Sequence, residues 1–290
     1  MKFKAKYISF LVFILLTVVP LLAGIAYALL YSLGLTGVLS TGFTLENWIK
    51  VLTAREFWRS LGFSFYVASV SMILATSLAL AAVVRFGRWF RSGTLSFMIY
   101  LPLVFPAMVM AFYTFQFLSK GGILSRIGFQ IGLLNDLNEF PDWINDRWGI
   151  GIIFAHVCMA TPFLIILFSN LYQSERLQSY SDLAKTMGAT VQQINFRVLI
   201  PVLLSRAFAT LVLYFVFVMS SYEIPLLLGS QSRQMVSVFT IQKLQRFNLQ
   251  DIPQAYVVSV VYMILVIIIV SASFSRRSRR AAAEARRYEI

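Results

Sequence analysis

The sequence predicts an all-α integral membrane protein with six transmembrane helices. Of its 290 residues, 59% are hydrophobic and 13% are charged, whereas a soluble domain carries about 25% charged residues. An apolar run of about 20 residues is long enough for a helix to cross a bilayer, whereas a barrel strand needs only about ten. Six such runs occur, at about 9–33, 61–84, 95–118, 149–171, 202–228 and 256–274.

The first run follows three lysines and contains Ala26-Tyr27-Ala28, a small-residue pattern typical of signal-peptide cleavage. The apolar core of a signal peptide is 7–15 residues long, but this run continues past that pattern to Leu33. We therefore expect a retained span, and we expect residues 1–290 to form a single transmembrane domain.

Basic residues indicate the orientation, because cytoplasmic loops carry an excess of Lys and Arg. With the N-terminus inside, most of the 25 basic residues fall in cytoplasmic segments. These are Lys2, Lys4, Lys6, Arg85, Arg88, Arg91, Arg176, Lys185, Arg197, Arg206, Arg276, Arg277, Arg279, Arg280, Arg286 and Arg287. Four acidic residues share one outside loop: Asp136, Glu139, Asp142 and Asp146. Both termini and the loop 173–201 are therefore expected in the cytoplasm.

The net charge of +13 would suggest a nucleic-acid partner in a soluble chain. Here six of the basic residues lie in the cytoplasmic tail 275–290, which follows the last apolar run. A basic segment in that position binds anionic membrane lipids. We expect membrane lipids, and no nucleic acid, as partners of this tail.

Residues for catalysis are scarce. The only cysteine and the only histidine, Cys158 and His156, do not make a tetrahedral metal site without further ligands, and both are expected to pack within a span. The sequence has no GxxxxGK[ST] phosphate-binding loop and no HExxH or GxSxG motif. We expect no catalytic residue, metal or cofactor on this chain.

The loop 173–201 carries an ordered pattern: Asp182-Leu183-Ala184, three residues, Gly188, nine residues, then Val198-Leu199-Ile200-Pro201. Glycine suits a turn between two short helices, and Ser179 or Ser181 is expected to cap the first of them. Pro201 disfavours helical geometry at the preceding residue. We expect a helix, a glycine turn and a second helix that ends or bends at Pro201.

This pattern resembles the EAA loop of permease subunits from bacterial type I ABC importers: Glu-Ala-Ala, three residues, Gly, nine residues, Ile, any residue, Leu-Pro. The segments YEIPLLLG at 222–229 and LPLVFP at 101–106 resemble the polyamine, ferric iron and organic-solute branch. The resemblance implies a non-catalytic permease of six helices that works by alternating access. It also implies that Asp182, Leu183, Ala184, Gly188, Ala189 and Pro201 belong to a loop that couples the permease to an ATPase.

The partners that the resemblance implies are an ATP-binding cassette subunit, which would hold the ATP and magnesium, a second permease of the same or a different kind, and an extracytoplasmic solute-binding protein. Asp182 keeps the charge of the motif's Glu on a shorter side chain, and Leu183 is bulkier than the motif's Ala.

Two features within the predicted spans are candidates for a solute pathway. Pro102 and Pro106 should kink or loosen the third span. Tyr222 and Glu223 lie in the fifth, and an acid there is costly unless it faces a cavity, a partner or the helix bundle. Glu223 would suit a polyamine or a metal cation, and the resemblance also leaves another small organic solute open as the substrate. The equally weighted interpretation is an interfacial residue satisfied by a neighbouring helix.

The alternative function is a stand-alone ion-coupled secondary transporter. That class usually has several intramembrane acids or paired broken helices, whereas the six predicted spans contain only Glu223. A structural membrane protein would account for the spans but not for the ordered loop.

Overall fold

The computed structural model describes residues 10–37, 40, 42–86 and 94–288. Every regular element among these residues is helical, as the sequence predicts. Lys2, Lys4, Lys6, Arg88 and Arg91, which the orientation prediction uses, lie outside the described residues.

Thirteen helices are numbered here in chain order. They are α1 (Phe10–Ser32, which includes a π-helical turn at Ile14–Val18), α2 (Glu46–Thr53), α3 (Arg55–Phe86), α4 (Thr94–Tyr100), α5 (Ala107–Leu118), α6 (Ile123–Gln130), α7 (Ile150–Ser174), α8 (Leu177–Thr186), α9 (Val191–Ile194), α10 (Ile200–Met219), α11 (Glu223–Leu228), α12 (Val236–Gln245) and α13 (Asp251–Tyr288). Short 3-10 helices lie at Leu101–Val104 and Leu137–Glu139, and a π-helical segment at Asn195–Leu199 joins α9 to α10.

Five of the described helices are long and apolar enough to cross a membrane. They are Phe10–Ser32, Arg55–Phe86, Ile150–Ser174, Val191–Met219 and Asp251–Ser275. A sixth span results if Phe97–Val104 and Ala107–Gln130, which meet at a bend of 100°, cross together. The structure therefore agrees with a protein that passes through the membrane several times.

The chain forms two compact units, one made of the residues up to Ser60 with Val236–Ser275, the other of Leu61–Met235 with the residues from Arg276. In the first unit, three tyrosines join α1 to α13. The ring of Tyr31 stacks on that of Tyr256 at 4.4 Å between centroids, and Tyr27 meets both rings edge-on. That these units together form one transmembrane domain stays a prediction.

The core of the second unit lies where the short helix α11 packs against α5 and α7. Ile224 and Leu228 of α11 are buried there against apolar side chains of α3, α5 and α7. The backbone N–H of Asn145 also donates to the carbonyl of Leu228 at 2.9 Å. These contacts hold α11, and therefore its first residue Glu223, in a defined position.

The fifth apolar run differs from the observed helix at both ends. The run was expected at 202–228, but the spanning helix is Val191–Met219 and α11 is a separate helix. The hydroxyl of Ser220 donates to the carbonyls of Val216 and Phe217 and so takes up acceptors in the last turn of α10. Hydropathy does not register this break because apolar residues lie on both sides of it.

Candidate functional site

The loop 173–201 begins with a sharp change of direction after α7. Arg176 has φ +51°, a left-handed conformation, and α8 starts at the next residue. The prediction that Ser179 or Ser181 caps this helix is wrong: both lie inside α8, and no side chain caps it. The chain instead turns into α8 at the left-handed Arg176 without a side-chain cap.

The glycine turn is present as predicted. Gly188 follows α8 with φ +81°, its N–H donates to the carbonyl of Lys185 at 2.9 Å, and the N–H of Ala189 donates to the carbonyl of Ala184 at 3.0 Å. These two bonds form a Schellman motif, in which a left-handed residue lets the chain satisfy the last carbonyls of a helix. Three of the predicted coupling residues, Ala184, Gly188 and Ala189, therefore build one turn.

The second helix begins with a capping box. The N–H of Gln193 donates to the hydroxyl of Thr190, and the N–H of Thr190 donates to the side-chain carbonyl of Gln193. The first turn of α9 is therefore satisfied by its own residues.

The helix does not end at Pro201. It continues from α9 through the π-helical segment Asn195–Leu199 into α10, where Pro201 occupies the second position. Within that segment the N–H of Ile200 donates to the carbonyl of Asn195, five residues back. The wider π spacing accommodates a residue that has no N–H to donate, so the loop joins a spanning helix without a break.

Asp182, the first position of the motif, lies in a polar network. Its carboxylate accepts hydrogen bonds from the side-chain nitrogen of Gln178 and from Lys185 Nζ, each at 3.1 Å. The hydroxyl of Tyr172, on α7, donates to the side-chain oxygen of Gln178 at 3.0 Å. The network thus links α7 to the helix that carries the motif.

An ion pair and three buried side chains also hold the loop. Arg206 Nε of α10 lies 3.0 Å from Glu175 Oε1 at the start of the loop. Leu177, Ile194 and Leu199 are buried. Sequence reasoning missed Tyr172, Gln178, Glu175 and Arg206. The three- and four-residue spacings of Gln178, Asp182 and Lys185 could have revealed the local part of the network.

One face of α8, continued by Met187 directly after the helix, is apolar and exposed. Tyr180, Leu183 and Met187 recur at helical spacing and are 55%, 60% and 80% exposed. We call these three residues the α8 apolar face. Exposed groups of large apolar side chains mark surfaces for protein partners or membranes.

Pro102 and Pro106 lie at the 100° bend of the third apolar run, where the sequence predicts a kink. Pro102 belongs to the 3-10 helix Leu101–Val104, and Pro106 is the residue before α5. Phe105 between them is extended, with ψ 126°, as expected of a residue that precedes proline.

Tyr222 and Glu223 lie at the break between α10 and α11. Glu223 is exposed and occupies the first turn of α11, where the helix dipole favours a negative charge. No Lys or Arg side chain of the described residues lies within ion-pair distance of its carboxylate.

The structure brings the two pathway candidates onto neighbouring elements. Pro106 immediately precedes α5 and Glu223 begins α11, and these two helices pack together. Across residues 10–37, 40, 42–86 and 94–288, no group of three or more His, Cys, Asp or Glu side chains is placed to hold a metal ion.

The long apolar helices define a multi-pass helical membrane protein, in which two of the apolar runs are broken next to proline or serine. Residues 71–282 match the family described as the binding-protein-dependent transport system inner membrane component. The chain belongs to this family, whose members are the permease subunits of ABC importers and lie in the inner membrane. The alternative of a stand-alone secondary transporter is set aside on this finding.

Individual relatives agree with the family. The chain is 28% identical over 233 residues to the probable ABC transporter permease protein y4fN of Sinorhizobium fredii, covering 79% of this chain and 38% of that protein. It is 28% identical over 146 residues to the putrescine transport system permease protein PotI of Escherichia coli strain K12, covering 50% of this chain and 45% of PotI. The matches thus span less than half the length of either relative.

The fold is also that of a solved importer. The crystal structure of a bacterial ABC transporter involved in the import of the acidic polysaccharide alginate superposes with a TM-score of 0.71, over 96% of this chain and 94% of that chain. The two sequences are 16% identical, so this likeness concerns the fold alone.

Proposed function

We propose that this permease forms part of the solute pathway of an ABC importer and is driven by a separate ATPase that docks on the loop 173–201. The observation that carries this proposal is the α8 apolar face. Tyr180, Leu183 and Met187 are exposed, whereas Leu177 and Ser181, on another side of α8, are buried. A face of this kind suits a cleft on a partner protein.

The internal bonds of the loop support a role in transmitting force. The Gln178–Asp182 network ties α8 to α7, and Glu175–Arg206 ties the loop to α10. The continuous helix from α9 through α10 adds a second connection to a span. A displacement of α8 by an ATPase is therefore passed to two spanning helices, which is the requirement for rocking between inward-facing and outward-facing states.

The orientation and the partners follow from this proposal. The loop 173–201 and both termini lie in the cytoplasm, where ATP is available, and the basic residues favour that side. A second permease subunit, identical or different, completes the pathway. A solute-binding protein delivers solute from the outer side, as the family description implies. ATP and magnesium bind the partner ATPase.

For the substrate, we propose a cationic solute such as a polyamine or a metal cation, recognised in part by Glu223. The exposed carboxylate at a helix break, without an ion-pair partner among the described side chains, is free to bind a positive group. The likeness to a putrescine permease supports the same class.

Cysteine cross-linking tests the docking site. Cys158 is the only native cysteine, so Met187→Cys in a Cys158→Ser background gives a single exposed thiol on the α8 apolar face. The matched control is Leu133→Cys, a similarly exposed apolar position outside this loop. With the importer expressed from its neighbouring genes, we expect the ATPase to cross-link to position 187 and not to position 133. Equal cross-linking at both positions would contradict the proposal.

A further inference from the structure

An open groove lies between the last turns of α3 and the α9 to α10 connection, both within the second compact unit. We call it the α3/α9 groove. Its volume is about 950 Å³, at the upper end of the range for sites that hold small molecules. The α3 side includes Leu80, Ala81 and Arg85, and the other side includes Val191, Asn195 and Phe196.

The lining of the groove is mostly apolar, and its polar side chains are Ser77 and Arg85 on α3 and Asn195 on the other wall. Val191 and Phe196 are 68% and 71% exposed, so large apolar surfaces remain uncovered by this chain. Arg85 stands at the end of the apolar wall, one residue before the last residue of α3. No carboxylate among the described side chains lies within ion-pair distance of its guanidinium.

The position of the groove decides between kinds of ligand. Both walls belong to helices that are long and apolar enough to cross a membrane, and the groove lies at the end of one and the beginning of the other. Along α3 it extends from Ser77 to Phe86, roughly 13 Å at 1.5 Å per residue. An acyl chain fits an apolar wall of that length between two spanning helices, whereas a free phosphate would contact only its charged end at Arg85.

We propose that the α3/α9 groove binds one anionic phospholipid, with an acyl chain along the apolar walls and the phosphate on Arg85. Arginine recognises phosphate through charge-assisted hydrogen bonds, and basic pockets between transmembrane helices bind anionic lipid headgroups. The Asn195 side chain offers a further polar contact. The lipid lies beside the segment that joins α9 to α10. It therefore stabilises the place where that segment enters the membrane.

Native mass spectrometry of the intact permease, released from nanodiscs of equal parts phosphatidylglycerol and phosphatidylcholine, tests the proposal. We expect retained phosphatidylglycerol to fall about fivefold in Arg85→Gln, the effect of removing one basic residue near a lipid headgroup. Ala81→Phe, which fills the groove without changing charge, should cause a similar loss. Arg85→Lys should retain most of the lipid.

The matched control is Arg147→Gln, which removes the same charge from an exposed residue outside the groove. Lipid retention equal to that of the unaltered permease is expected for this control. Three results would overturn the proposal: equal losses in Arg85→Gln and Arg147→Gln, equal retention of phosphatidylcholine and phosphatidylglycerol, or an Ala81→Phe variant that keeps its lipid but loses a co-purifying protein. The last result would assign the groove to a protein partner. Because the readout is lipid and not ATPase activity, it is separate from the test of the docking site.

Discussion

Gln178 donates hydrogen bonds from one side-chain nitrogen to both carboxylate oxygens of Asp182, each at 3.1 Å. The same carboxylate accepts from Lys185, and Gln178 in turn accepts from Tyr172 on the preceding span. The first position of the motif is therefore held by its own helix and by α7. The shorter Asp at this position is long enough for these local partners, which lie three and four residues away.

The Asp182 network should matter for coupling more than for stability. Because Asp182 and Lys185 are half exposed, we expect Asp182→Ala to change the free energy of unfolding by about 1 kcal/mol or less. Transport-linked ATPase activity of the assembled importer should fall severalfold, because Gln178, whose side chain links α8 to Tyr172 of α7, loses the carboxylate that holds it in place.

The control for this variant is Glu46→Ala, which removes a similarly exposed ion pair to Lys50 on a different helix. A double-mutant cycle between Gln178→Ala and Asp182→Ala measures their coupling directly. Equal ATPase activity in the Asp182→Ala and Glu46→Ala proteins would contradict the role of the network.

The α8 apolar face should act only through a partner. Leu183→Ser and Met187→Ser alter side chains that are mostly exposed, so each should change the stability of the isolated permease by no more than about 0.5 kcal/mol. Both should weaken ATPase binding, measured by the fraction of ATPase that co-purifies. Leu177→Ala is the contrasting variant, since this buried side chain should cost about 2–5 kcal/mol of stability. Full ATPase recovery with both serine variants would argue against docking on this face.

Glu223 should affect solute recognition without affecting assembly. Glu223→Gln removes the charge but keeps the shape, so we expect a roughly five- to tenfold higher KM for uptake of a cationic solute, the effect of one charge pair of about 1 kcal/mol or slightly more. Glu139→Gln is the charge-matched control on the loop before α7. An unchanged KM in Glu223→Gln would favour the interfacial interpretation of this acid.

Much of this architecture could be predicted from the sequence because hydropathy and turn chemistry are local. The apolar runs predict the spanning helices, and Gly188 lies in the left-handed conformation that its turn requires. The Phe105-Pro106 step breaks the third run as local sterics predict.

The errors arose where several local effects compete. Pro201 was expected to end or bend its helix, and the helix does not end there, because a π-helical segment accommodates the missing donor. Ser220 and Ser221 interrupt an apolar stretch that reads as one span, so Glu223 begins a separate helix. Contacts between helices, such as Glu175 with Arg206, depend on how the spans pack, and no pattern in the sequence shows that packing.

The central claim, that the turn at Gly188 docks an ATPase, is tested most directly by comparing two glycines of the same geometry. Gly188 and Gly132 both have positive φ, +81° and +74°, and both have open space where a side chain would extend. Aspartate at either position therefore adds the same charge and similar backbone strain, about 1–2 kcal/mol. Only Gly188 lies in the proposed docking loop.

The measurement is co-purification of the tagged permease, expressed with its neighbouring genes, followed by quantification of the bound ATP-binding subunit and its ATPase activity. We expect Gly132→Asp to retain the ATPase and Gly188→Asp to lose it, with both variants inserted in the membrane at the level of the unaltered permease. Retention of the ATPase by Gly188→Asp, or equal loss from both variants, would contradict the account.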